Sequence, residues 1–375
     1  MSTHPFATSV ATLSNKLSLA LHMETAKSSG IISNIISYVQ SKLNIDTSGS
    51  KMGTVTSPLS IAYILSLLQI GASGNTKQQL VDLFGFDDNI DSLTEMVKIF
   101  NTETIKLANV IIVNQSYPLN AEYSAMVNNL ACISNEDFND SYAIVTKVNN
   151  FISDNTSDLI KDILKEEHVS PDVTSILVNT IYFKSQWINP FEKYLTYKTM
   201  FNEILECEMM NQTDYFHYFE DANVQIVELG YSDRAYCMGF ILPKNNNTNC
   251  PDYFMNGDYE KQYIDLHIPK FTQRSNINLI PILQRMGLTD IFTNGSKLDK
   301  MCDNATPFVS ILIHEAVIIV DEAGTEASAM TLAVCTEESC CAGPEPIVFK
   351  ADHTFAYYIK HCPTNTLLFA GEYCG

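Results

Sequence analysis

Residues 321–335, DEAGTEASAMTLAVC, constrain the fold more than any other stretch of the chain. From Thr325 every second residue is small: Thr325, Ala327, Ala329, Thr331, Ala333 and Cys335. The interleaved residues are Glu326, Ser328, Met330, Leu332, Val334 and Thr336. Alternation of period two places one set on each face of an extended strand. The small set can slide beneath a packed layer without a clash, while the other set faces water or a shallow cover. Gly324, just before, supplies a pivot that other residue types reach only with strain. Beyond Cys335 the pattern gives way to EESCCAGPEPI, which no buried strand tolerates. The stretch therefore predicts a loop able to enter a sheet as a strand, a rearrangement by which a fold releases stored strain. An ordinary exposed loop predicts no such alternation.

A strand of this kind needs a large sheet to receive it. The 375 residues are 46% hydrophobic, enough to bury a core of that size as one large α+β domain or as two ordinary ones. Acidic residues outnumber basic ones 43 to 23, a net charge of −20. Such a surface repels nucleic acid, anionic lipid and sulfated polysaccharide. No apolar run reaches membrane-spanning length, and the longest, VSILIHEAVIIV at 309–320, is interrupted by His314 and Glu315. Near the N-terminus TLSNKLSLALHM has helical spacing without a basic leader or a small-residue cleavage site, which predicts an amphipathic helix rather than a signal peptide.

The ten cysteines follow no framework spacing and predict free thiols in a reducing compartment. Asn-x-Ser/Thr sequons at Asn114, Asn139, Asn155, Asn211, Asn246, Asn294 and Asn304 leave secretion without a classical signal peptide open beside a cytoplasmic location. Cys335, Cys340, Cys341, His353, His361 and Cys362 fit no compact ligand spacing, so neither a metal nor another cofactor is expected. No Gly-x-Ser-x-Gly elbow is present to suggest a hydrolase.

No internal repeat or long linker divides the chain; the resemblance given below implies a single domain over 1–375. Helical spacing covers 5–27, 30–45, 75–84, 90–100, 147–164 and 277–288. A buried helix begins with Ser57 as N-cap and Pro58 at its first position and ends near Gly71. Strand patterns occupy 106–114, 173–187, 207–219, 223–231, 235–243, 262–271 and 310–322, and 347–373 resembles a hairpin pair. Helices gather in the first half and strands in the second, which favours α+β over an alternating α/β order.

Seven segments now carry a resemblance across almost the whole chain. TSPLSI (56–61), NTIYFKSQWINPF (179–191), MMNQTDYFHY (209–218), LHIPKF (266–271), GLTDIF (287–292), HEAVIIVDEAGTEASA (314–329) and the 349–373 region occur in one order. In that order they resemble the serpin family, most closely its intracellular and viral branches. The resemblance implies a large central β-sheet, two smaller sheets, a helix cluster and a reactive loop at about 322–348. It implies a protease inhibitor, not an enzyme, acting as a suicide substrate. The target protease cuts the loop and is held as an acyl-enzyme while the cut loop inserts into the central sheet. Roughly ten to fifteen new ladder bonds at ~1 kcal/mol net each rival the stability of an ordinary domain, so the uncut form is kinetically trapped. The alternative is a non-inhibitory carrier or chaperone, whose hinge usually holds bulky, charged or proline residues.

The family pattern assigns the hinge to Glu322, Gly324, Thr325, Glu326, Ala327, Ser328 and Ala329. It assigns Ser57, Ser60, Asn179 and His314 to a hydrogen-bonded cluster beneath the sheet, with Trp187 and Glu322 at the top, where insertion begins. Counting seventeen residues from Glu322 puts the reactive bond between Glu338 and Ser339. A loop one residue shorter moves it to Glu337 and Glu338, and a count from the C-terminal strand points to the region from Cys341 to Pro344. An acidic residue before the bond suits a serine or cysteine protease with a basic pocket, whereas a cut at Cys340 suits a shallow apolar one. The implied partner is that protease, held covalently by a monomer, with no nucleic acid, membrane or heparin-type polysaccharide. The chain departs from the family at Phe151 (usually Trp), Thr354 (usually Pro) and Glu372 (usually Arg), and in an insert at about 25–50.

Overall fold

The computed structural model describes residues 53–84, 93–94, 98–100, 102–245, 250–253, 259–325 and 345–375. The helices expected at 5–27 and 30–45, the insert at about 25–50 and most of 90–100 lie outside the described residues.

Two sheets make up the body. The first runs β3 (Cys132–Glu136), β2 (Ile105–Asn114), β4 (Ser175–Phe183) and β12 (Ile311–Val320), with β11 (Phe271–Asn278) on the far side of β12. Two short strands complete it, β13 (Gly324–Thr325) against β12 and β5 (Ser185–Gln186) against β13. The second sheet runs β1 (Thr54–Thr56), β16 (Thr366–Tyr373), β15 (Phe355–His361), β9 (Tyr236–Pro243), β8 (Val224–Gly230), β7 (Leu205–Glu220), β10 (Glu260–Pro269) and β14 (Ile347–Lys350), with β6 (Tyr197–Phe201) beside β7. The two smaller sheets expected from the resemblance are thus one continuous ladder. The 16-residue β7 spans both, pairing with β6 along Leu205–Met209, with β10 along Met209–Tyr218 and with β8 along His217–Glu220.

Between the sheets lies an aromatic core that includes Phe183, Trp187, Tyr231, Phe240, Phe271, Phe355 and Phe369. Helix α1 (Pro58–Gly71) supports the first sheet from this side. The Ser57 hydroxyl accepts from the Ser60 N–H at 3.2 Å and Pro58 opens the helix, as the sequence predicts. Helix α2 (Gly74–Phe84) follows, and the short α3 (Ala121–Val127), which no periodicity announced, seats Tyr123 against α1 through a bond to the Leu67 carbonyl.

Three expectations need correction. The helix on the outer face of the first sheet, α4 (Ser141–Asn155), starts at an Asp140 cap and stops at Asn155, not at 164. Ser157, Asp158 and Asp162 have positive φ, and the Thr156 hydroxyl bonds back to the Ile152 carbonyl. Short polar side chains here compete with the helix for its own backbone. The helix placed at 277–288 is only Ile280–Arg285 (α5), because Ile277 and Asn278 continue the ladder of β11 with β12. Residues 347–350 do not belong to the C-terminal hairpin: β14 pairs in parallel with β10, and the hairpin is β15 with β16.

Candidate functional site

The first sheet is closed below and parted above. β4 and β12 pair in parallel from Ile176 with Ile311 up to Ile181 with Ala316. Above that rung β13 lies between β12 and β5, antiparallel to both, with Thr325 opposite Val320 and Ser185 and Gly324 opposite Gln186. Gly324 is required there by space as well as by its φ of +155°. A Cβ would lie 2.2 Å from the Ser185 carbonyl oxygen and 2.7 Å from the Gln186 Cα, both backbone atoms. Thr325 is fully buried, and its hydroxyl lies 2.6 Å from the Tyr231 hydroxyl.

The approach to this rung is held from several sides. Trp187 stacks on Tyr231 with ring centroids 4.6 Å apart, and its indole N–H donates to the Asp321 carbonyl at 3.0 Å. The Trp187 and Phe191 backbone N–H groups donate to the Ala323 and Glu322 carbonyls. The Asp321 carboxylate accepts from the Ala323 and Gly324 N–H groups and shapes the turn into β13. Glu322 accepts from the Thr196 hydroxyl at 3.0 Å and pairs with Lys270 at 3.3 Å. Burial alone would raise the Glu322 carboxyl, but a backbone N–H, Thr196 and Lys270 outweigh it and hold the group below its ordinary range.

Ser57, Ser60, Asn179 and His314 meet two rungs below the top of the closed part. The Ser57 backbone N–H donates to His314 Nε2 at 3.0 Å, so Nε2 is the acceptor and Nδ1 carries the proton. Nδ1–H then donates to Asn179 Oδ1 at 2.7 Å, and the Asn179 amide donates to the Ser60 carbonyl at 3.0 Å. The same amide donates to Asn109 Oδ1 at 2.5 Å. Asn109, Asn179 and His314 occupy a single rung across β2, β4 and β12. A proton on Nε2 would confront the Ser57 N–H in a site with no water contact, and burial depresses the His314 pKa from 6.5 to about 3. His314 is therefore a neutral tie between the strands and helix α1 rather than a catalytic base.

Asn109, Tyr231, Thr196 and Lys270 belong to this site but were not singled out from the sequence. For Asn109 there was a local signal, one amide inside the otherwise apolar LANVIIV. For Tyr231 there was none, because its partner is 94 residues away. Glu326, Ala327, Ser328 and Ala329, with the reactive-bond candidates Glu337, Glu338, Ser339 and Cys340, lie outside the described residues.

The outer face of the same sheet is covered by α4 and the strap after it. Ile144, Val148 and Ile152 of the helix and Ile160, Ile163 and Leu164 of the strap pack on Ile176, Val178, Ile313 and Val317. Arg274 clasps the fully buried Glu315 carboxylate, which also accepts from the Asn276 amide, and donates to the Lys161 carbonyl in the strap at 3.1 Å.

Residues 42–375 match the family model Serpin (serine protease inhibitor). An uncharacterized serpin-like protein of Acanthamoeba polyphaga mimivirus is 37% identical over 353 residues, covering 88% of this chain and 86% of that one. Iripin-2 of Ixodes ricinus is 30% identical over 87% of this chain and 88% of its own length. Among solved structures, Serpin48 of the insect Tenebrio molitor superposes with a TM-score of 0.82 at 21% identity over 96% of this chain and 98% of that one. Uncleaved ovalbumin superposes with a TM-score of 0.79 at 21% identity over 93% and 98%. With a mixed α+β body whose first sheet parts around Gly324 and Thr325, the chain belongs to the serpin family.

Proposed function

We propose that this serpin inhibits a protease by trapping it as a covalent acyl-enzyme, and that the tract after Glu322 becomes the missing strand of the first sheet once it is cut. The observation that carries this reading is the register of β13. Its pairing with β12 and β5 uses the same offset that joins β4 to β12 lower down. A strand continued from Thr325 in that register places Ala329 opposite Ile181 and Ala316, and Val334 opposite Ile176 and Ile311. Ala327, Ala329, Thr331 and Ala333 then share the crowded inner face with Phe183, Ile181, Asn179 and Leu177. Leu332 and Val334 fall on the outer face, beside Val178, Ile313, Ile176 and Ile311 under α4 and its strap. The small set lands where side chains are packed against the second sheet and α1, and the apolar pair lands where an apolar cover exists.

A carrier role, the alternative class, needs no hinge that fits this lattice. In the inhibitory reading Glu338 precedes the cut, and the target has a basic specificity pocket. The test is a panel of serine and cysteine proteases incubated with the protein and run on a denaturing gel, with the released C-terminal peptide sequenced. A band that survives denaturation and a peptide starting at Ser339 are expected, and a start at Cys341 moves the bond to Cys340. Should every protease cut the loop and depart fully active, the inhibitory reading fails while the family assignment stands.

A further inference from the structure

On the outer face of the second sheet, away from the aromatic core, two cysteines share a cavity of about 790 Å³ with His217, Glu228, Tyr259 and Lys360. Cys237 lies on β9 directly opposite Lys360 on β15. Cys362 comes two residues after Lys360, its backbone N–H donating to the Ala235 carbonyl at 2.7 Å. With Lys360 opposite Cys237, Cys362 follows one diagonal step away, and both cysteines line the same cavity. Cys237 is buried at 5% exposure, whereas Cys362 is exposed and begins the turn 362–365. The neighbouring Lys360 ammonium is fixed by the Glu228 carboxylate at 2.5 Å and lies over the Tyr259 ring. The Cys237 thiol lowers the Cys362 pKa most; burial opposes this and Lys360 reinforces it.

We propose that Cys237 and Cys362 form a reversible disulfide site whose oxidant is a small-molecule disulfide admitted by this cavity. The exposed Cys362, as its thiolate, attacks one sulfur of the small disulfide. A mixed disulfide forms on Cys362, and the displaced sulfur leaves as a thiolate that takes up a proton. Cys237 then loses its proton to solvent and attacks Cys362 Sγ, expelling the second small thiol. Two protein thiols are oxidised, one small disulfide is reduced to two thiols, and one protein disulfide forms. The sulfurs must close to about 2.0 Å, a movement that Cys362 can make because it begins a turn rather than continuing the strand.

The order of attack gives each single variant its own signature. After equilibration of the whole protein with oxidised glutathione and alkylation of the remaining thiols, peptide mapping of the wild type should find the peptides of Cys237 and Cys362 cross-linked, and dithiothreitol should reverse it. Cys237→Ser should stop at glutathione on Cys362, and Cys362→Ser should leave Cys237 reduced and unmodified. The proposal is overturned if both thiols of the wild type remain alkylatable in excess oxidised glutathione. It is equally overturned if Cys362 keeps its glutathione with Cys237 present, or if either cysteine pairs elsewhere.

Discussion

Replacing Gly324 with Ala tests whether the docked rung is the starting point of insertion. The added methyl would sit 2.2 Å from the Ser185 carbonyl oxygen, and no side-chain movement relieves a contact between two backbones. The φ of +155° adds strain for any residue with a Cβ. β13 must therefore withdraw from between β12 and β5. Withdrawal forfeits the ladder to Ser185, the Asp321 N–H bond to the Gly324 carbonyl and the contact of Thr325 with the Tyr231 hydroxyl. Three bonds at ~1 kcal/mol net each amount to about 3 kcal/mol. The same clash recurs when a cut loop tries to enter, so the barrier to insertion rises by a similar amount and the rate falls by roughly two orders of magnitude. Two readouts follow. Trp187 is the only tryptophan, and it bonds to both Asp321 and Ala323, so its fluorescence reports the withdrawal in the uncut protein. On a denaturing gel the variant should appear mainly as cut inhibitor with free protease, where the wild type gives a covalent band. A variant that matches the wild type in both spectrum and yield of complex refutes the assignment of β13 as the first rung of insertion.

Acid should loosen the closed part of the sheet through His314. Its folded pKa is depressed from 6.5 to about 3, so the unfolded chain binds the proton first and stability is lost as pH falls from about 6.5 toward 3. Within that window this group alone costs about 1.4 kcal/mol per pH unit. Apparent melting temperatures from pH 7 to 4 should fall less steeply in His314→Gln than in the wild type, although the variant starts lower by ~1–2 kcal/mol for its lost bonds. Arg274→Met should leave the Glu315 carboxylate buried with only the Asn276 amide, costing ~3–5 kcal/mol. The double variant with Glu315→Met should recover most of that loss in the same melting experiment. Cleavage within 337–340 should raise the melting temperature well above that of the intact protein, as measured by scanning calorimetry on both forms.

What could be read from the sequence was what depends on near neighbours. The Ser57–Pro58 start of α1 is local and points to the helix it begins; the alternation after Gly324 is local too, but past Thr325 it lies outside the described residues. Burial was legible even where conformation was not. Ile160, Ile163 and Leu164 carry helical spacing and do pack on the same sheet face as α4, but the backbone reverses at Ser157 and Asp158 and delivers them as a strap. Partners far along the chain were a different matter. His314 meets Ser57 across 257 residues, and β14 meets β10 in a parallel register that no turn chemistry announces. The His314 cluster was placed by family pattern, and Asn109, Tyr231 and Lys270 emerged only once the strands were side by side.

On the proposed inhibitory reading, the pairing of β4 with β12 explains why a hinge of small residues belongs beside this particular seam. It is a parallel contact inside a sheet that also contains antiparallel ladders, and parallel pairing is slightly the weaker per residue. Parallel neighbours also share a direction, so a strand that enters between them can run antiparallel to both, as β13 already does. One weaker ladder is exchanged for two stronger ones on every rung that opens. On that reading the seam stays shut in the uncut chain because each rung must part before its replacement arrives. The first to part are Ile181 with Ala316, and two rungs below them lies the rung tied to the start of α1 through Asn179, His314 and the Ser57 N–H. On the proposed reading, the driving force is thus a property of strand direction and the delay a property of two polar side chains, Asn179 and His314, tied to backbone groups of Ser57 and Ser60. For that reason a substitution at His314 should change how fast the sheet opens far more than how much is gained when it does.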